Sequence, residues 1–184
     1  MFARSRAAHL FLALVSAASL PSAGKAAAAP PAPEGWHAPA SATERALDAI
    51  LKRVDSDDNA LENLLGGRDK AKFHRTVDYA PMLTQPLLTA IARTEAALVK
   101  KDCGGRYRRG EICGLDYVPV TCAQDSNDSY LYRIEQEGPL AARIAYAWPG
   151  DQHTPVATYQ LLRRGDRWMI DGIACRDGDR FNMK

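Results

Sequence analysis

The chain has 184 residues, a formal charge of +2, 46% hydrophobic residues and four cysteines. That length suits one domain, or one domain plus a processed segment. Arg4, Arg6 and Lys25 fall in the N-terminal segment; without them the 24 basic residues no longer outnumber the 22 acidic ones and the formal charge is −1, which removes the footing for a nucleic-acid binder.

Arg4 and Arg6 make a short basic start, and an apolar run from Ala7 to Leu20 follows. Ser16 and Ser19 interrupt that run, which is too short for a permanent membrane span. Small residues from Ser22 to Ala29 then offer Ala-x-Ala-like cleavage sites near Ala26 to Ala28. The order predicts a signal peptide over residues 1–28 and a periplasmic or secreted product. No cysteine follows the apolar run to carry a lipid, and no second long apolar segment exists, so no membrane span is expected after cleavage. Pro30, Pro31, Pro33 and Pro39 predict an extended Pro/Ala-rich linker over residues 29–40. A single α+β domain is expected from 41 to 184.

The domain opens on Ser41-Ala42-Thr43-Glu44, a capping box, and Leu47, Ile50, Leu51 and Val54 then recur at helical spacing. This first helix is expected to end near Asp55. Asp55-Ser56-Asp57-Asp58-Asn59 begins like a calcium loop, but Ala60 stands where the glycine is needed and Gly66 where the bidentate glutamate is needed. It reads as an acidic helix end or turn. Gly66-Gly67 breaks the chain, and Asp69 to Tyr79 is read as a short helix with Phe73 and Val77 on one side. A longer helix is capped by Thr84 or Gln85, tolerates Pro86 in its first turn and buries a stripe through Leu87, Leu88, Ile91, Ala92, Glu95, Leu98 and Val99. Lys100 and Lys101 suit its negative end, and Gly104-Gly105 stops it.

Cys103 and Cys113 flank a glycine-rich loop with Arg106, Arg108 and Arg109. Three arginines there are candidates to grip an anion, but no Walker loop or dinucleotide fingerprint accompanies them, so the loop reads as a disulfide-clipped surface turn and no cofactor is expected. Gly114 to Asp125 is a joint, with helical spacing before it and alternation after it. Tyr130, Tyr132 and Ile134 alternate with Leu131, Arg133 and Glu135. After Gly138-Pro139, Leu140, Ala142, Ile144, Tyr146 and Trp148 alternate with Ala141, Arg143, Ala145 and Ala147. Residues 156–164 and 167–175 flank Gly165-Asp166 as a hairpin, and periodicity does not choose their inward face. Helices followed by about four short-linked strands predict helices packed on a curved antiparallel sheet.

Two stretches carry a family resemblance. Leu115-Asp116-Tyr117-x-Pro119 with Ala123-Gln124-Asp125, and Leu161 to Ile173 with its aromatic residue before Ile170-Asp171, resemble the exported bacterial domain-of-unknown-function 3828 family. That family resembles a branch of the cone-shaped fold named after nuclear transport factor two. The resemblance covers roughly Thr84 to Ile173 and implies a nuclear transport factor two-like fold and an exported setting; the family brings no agreed reaction, and fold alone does not decide one.

An even cysteine count in an exported chain points to disulfides among Cys103, Cys113, Cys122 and Cys175, with three possible connectivities. A zinc set lacks any Cys-x-x-Cys pair, and no metal site is expected. Cys122 with Cys175 would tie the start of the strand region to its end, with Cys113–Cys122 as the open alternative. His37 lies in the linker and His153 beside a loop proline; His74 and Asp78 stand at i,i+4 as a helix-surface pair or a general base. The candidate binding residues are Asp116, Tyr117, Gln124, Asp125, Trp168 and Asp171. Asp125 is expected to cap a turn, Asp171 to pair with Arg133 or Arg143, and the aromatics to line a pocket or fill the core. With no nucleophile set, the expected function is a non-enzymatic periplasmic binding domain, immunity-type or envelope-accessory, whose partner is an envelope protein or secreted toxin. The alternative is a small-molecule isomerase or lyase using a carboxylate inside the cone.

Overall fold

A computed structural model describes residues 35–67, 74–107, 111, 113–124, 129–150 and 154–183. The expected signal peptide, linker residues 29–34, Arg108, Arg109, Asp125 and His153 lie outside the described residues.

The first helix, α1 (Ala42–Asp55), forms as its sequence dictates. Ser41 accepts the Glu44 amide, and the Glu44 carboxylate accepts the Ser41 and Ala40 amides in return. Leu47, Ile50, Leu51 and Val54 are buried, each stabilising by roughly 1.5–3 kcal/mol. A second helix, α2 (Ala60–Leu65), lies before the glycine pair, with Gly66 left-handed at its end. The helix expected over Asp69 to Tyr79 is absent from its described part. Residues 74–79 form neither helix nor strand, with Val77 and Tyr79 buried and Thr76 and Asp78 exposed.

Side-chain hydrogen bonds explain that difference. Asn63 holds the Thr76 backbone amide at 3.0 Å and its hydroxyl at 2.9 Å. The Tyr79 hydroxyl donates to Asp57 at 2.7 Å, and Asp57 also accepts from Asn63 and the Asn59 amide. The acidic run is therefore a hub for the chain that follows it. Burial pushes the Asp57 carboxyl up, but its hydrogen bonds, with Tyr79 first, outweigh that and hold it below its ordinary range.

The third helix, α3 (Gln85–Cys103), matches its expected span. Thr84 caps it, Pro86 sits in its first turn, and Gly104 ends it in a left-handed conformation. Leu87, Ile91 and Glu95 form its buried line.

Five antiparallel strands follow in sequential order: β1 (Leu131–Glu137), β2 (Ala141–Ala147), β3 (Ala157–Arg164), β4 (Arg167–Cys175) and a two-residue β5 (Arg180–Phe181). The helices pack on one face, so the α+β expectation holds, with one short strand more than the expected four. α1 meets β4, α3 meets β4 and β5, and α2 lies on α3. The inward face carries Tyr132, Ile144, Tyr146, Tyr159, Leu161, Ile170, Ile173 and Phe181, all buried. A bulge settles the face that alternation left open. Leu161 pairs with Ile170 but Gln160 with Gly172, so Asp171 is the extra residue. Ile170 and Ile173 thereby both reach the core from odd-numbered spacing.

The fold begins before Ser41. His37 pairs with Tyr132 through two backbone hydrogen bonds of 3.0 and 2.8 Å, and Trp36 covers Ala145 and Ala147 on the outer face of the sheet. The Arg133 guanidinium stands 4.7 Å over the Trp36 ring. Ala145 and Ala147, on the face away from the helices, are buried under this strap.

Candidate functional site

The joint between helices and sheet is anchored from both sides. Gly114, at φ +75°, lets the chain pass directly over Glu95 of α3, whose carboxylate accepts the Leu115 amide at 2.6 Å. Leu115 and Val120 then plunge into the core, and the Val120 carbonyl accepts the buried Tyr159 hydroxyl at 2.8 Å. The chain reverses around Val120, with Val118 and Ala123 paired and Cys122 in a left-handed turn at φ +54°. Asp116 and Gln124 are the exposed residues of this stretch.

Two disulfides complete the frame. Cys103 bonds Cys113 across the arginine loop, and Cys122 bonds Cys175 at the end of β4. The preferred Cys122–Cys175 pairing is the observed one, and the open alternative, Cys113–Cys122, is not formed. Two such bonds are compatible with an oxidising environment. Cys103, Cys113 and Glu111 lie close enough to suggest a metal group, but both sulfurs are spent on each other and offer no thiolate. The described part of that loop leaves Arg106 exposed.

The Cys122–Cys175 bond forms the back of a surface cleft of about 340 Å³ lined by Asp116, Tyr117, Gln124 and Asp177. Three of the six candidate residues thus come together. The Gln124 amide donates to Asp116 at 3.3 Å, and the Tyr117 hydroxyl donates to Asp179. Burial first, and then the Asp179 hydrogen bond and the charges of Asp179, Asp116 and Asp177, push the Tyr117 hydroxyl well above its ordinary value. Tyr117 is therefore a proton donor and no base at neutral pH. The cleft presents acceptors and negative charge, complementary to a cationic, donor-rich surface. The neighbouring Arg176 donates hydrogen bonds to the Thr154 and Pro155 carbonyls.

The other candidates go elsewhere. Asp171 is buried and accepts the Thr84 hydroxyl at 2.7 Å, which docks the start of α3 on the bulge of β4. Its expected partners are engaged otherwise, Arg133 over Trp36 and Arg143 toward Glu135 at 3.4 Å. Trp168 stands at the opposite end of β4 and lines a different groove. His74 and Asp78 share no helical face, since their segment is not a helix, and Asp78 has Arg75 at 3.9 Å. Sequence reasoning missed Asp177 and Asp179. Their signal was the pairing of Cys122 with Cys175, which brings the Arg176-Asp177-Gly178-Asp179 turn against the joint.

Searches of protein-family models, curated proteins and solved structures return no match to this chain. Among the described residues, no helix is long and apolar enough to cross a membrane.

Proposed function

We propose that this chain is an exported, disulfide-stapled domain that acts by binding a protein of the cell envelope or a secreted toxin, as an immunity-type or accessory partner. One observation carries the reading. Tyr132, Tyr146 and Tyr159 fill the concave side of the sheet, while Asp116, Tyr117 and Gln124 gather outside it in a cleft held rigid by the Cys122–Cys175 bond. A rigid, outward-facing acidic cleft suits a basic protein surface, as an inhibitor masking a toxin's cationic site would require. Both disulfides fit the oxidising compartment that the N-terminal segment implies. The resemblance of the joint and the closing hairpin to the domain-of-unknown-function 3828 family, with its nuclear transport factor two-like fold, supports the same setting. The isomerase or lyase reading needs a carboxylate facing an enclosed pocket; Asp171, the buried candidate, is committed to Thr84, and no observation favours that reading.

Capture experiments test the proposal. The immobilised chain is expected to retain an envelope or secreted protein, identified by mass spectrometry, and a D116A/Q124A/D177A variant of unchanged circular dichroism is expected to lose it. Retention of nothing from envelope and secreted fractions, or equal retention by the variant, would overturn it.

A further inference from the structure

The concave face is not closed along its whole length. Two residues beyond the buried Leu161–Ile170 pair, the same face presents Arg163 opposite Trp168. Opposite them the first turns of α1 supply Ala42 and Ala46, and these small side chains leave a groove of about 510 Å³. Ile50, Met82 and the half-buried Trp168 give it apolar walls, and Arg163 and Arg167 line it together with one carboxylate, Asp166. Arg163, Arg164 and Arg167 make no ion pair among the described residues, and Asp166 is the single acidic residue of the hairpin turn. The apolar surface continues beside the groove. Leu140, 68% exposed, accepts the Arg163 amide through its carbonyl at 2.9 Å.

Two free guanidinium groups over an apolar trough define a ligand by its chemistry. Guanidinium forks pair bidentately with carboxylates, and the trough favours an aliphatic or aromatic side chain. We propose that this groove docks an acidic segment of a partner protein, an apolar side chain entering between Ala46 and Trp168 while flanking carboxylates meet Arg163 and Arg167. The shape favours a peptide over a lipid surface: Trp168 is a wall of the groove and does not project from it. Trp168 of this groove and Cys175 of the acidic cleft stand near opposite ends of β4, roughly 20–25 Å apart, so the two sites stand or fall independently.

The test uses the full disulfide-bonded chain and three probes: a fluorescein-labelled peptide of alternating Glu and Leu around a central Phe, its twin with Lys for Glu, and phosphatidylglycerol vesicles. Saturable binding of the acidic peptide by fluorescence anisotropy is expected, with no binding of the lysine twin. R163E/R167E is expected to weaken it at least tenfold, and A46W, which fills the trough without touching charge, to do the same. The arginine pair sits on an exposed hairpin, so that variant keeps the test open if A46W fails to fold. Absence of acidic-peptide binding, equal binding by R163E/R167E, or equal binding of the lysine twin overturns the proposal. Vesicle binding that needs the arginines, without peptide binding, also overturns it and assigns the surface to a membrane.

Discussion

At Gly114 a positive φ and a buried carboxylate meet. A Cβ added there would stand 2.6 Å from the Glu95 carboxyl carbon, so a side chain must displace the group that holds the Leu115 amide. Gly114→Ala is expected to lower unfolding stability by about 2–3 kcal/mol, combining left-handed strain with a broken buried hydrogen bond. Urea titration checks this, and Gly104→Ala, at a similar φ but with nothing within 4 Å of the added Cβ, is expected to cost clearly less. Single residues were also where the sequence was least legible. Asp171 reads as a cross-strand ion-pair member only while the strand is taken as regular. One inserted residue redirects it to Thr84, and no periodicity announces a bulge.

Among elements, the strap formed by Trp36 and His37 is the informative one. It pairs with β1 at the sheet edge and buries an aromatic ring against two alanines on the face away from the helices. Trp36→Ala is expected to cost about 3 kcal/mol and to raise light scattering at the unfolding midpoint, because the edge of β1 loses its cover. A midpoint in urea within experimental error of the parent would refute the role. Capped, periodic helices such as α1 and α3 were legible because local chemistry decides them. The helix before Gly66 was not, because its six residues are too few for a periodic signal and the following segment is held out of a helix by Asn63 and Asp57. The strap was hidden in a proline-rich stretch, where composition suggests linker and only the tryptophan hints at burial.

Taken whole, the molecule is a tyrosine-filled core with two covalent staples. Burial first, and nearby carboxylates or tyrosines second, hold the hydroxyls of Tyr79, Tyr132 and Tyr159 above the ordinary value of 10, and burial does the same for Tyr146. A raised folded-state value means this stabilisation is complete below pH 10 and is lost as pH rises through the alkaline range. Absorbance at 295 nm is therefore expected to show these four ionising together with loss of circular dichroism, and ionisation in a still-folded protein would contradict the packing described. The disulfides should differ in weight. By the chain-entropy relation, removing the Cys122–Cys175 bond, with a sequence separation of 53, costs about 4 kcal/mol, against about 3 for Cys103–Cys113, with a separation of 10. Paired alanine variants compared by urea titration are expected to rank in that order. The α+β class and this pairing were legible because each follows from the order of elements. The acidic cleft was legible only in half, since its other half comes from a turn placed there by the disulfide.

The same bond has a mechanical consequence. Cys122 precedes β1 and Cys175 closes β4, so a pull along the chain from either side passes through one sulfur–sulfur bond and bypasses every strand between them. Once the contacts of the strap, the helices and β5 with the sheet have given way, the covalent path of the tension runs through this bond and shields the chain between Cys122 and Cys175 from being drawn out.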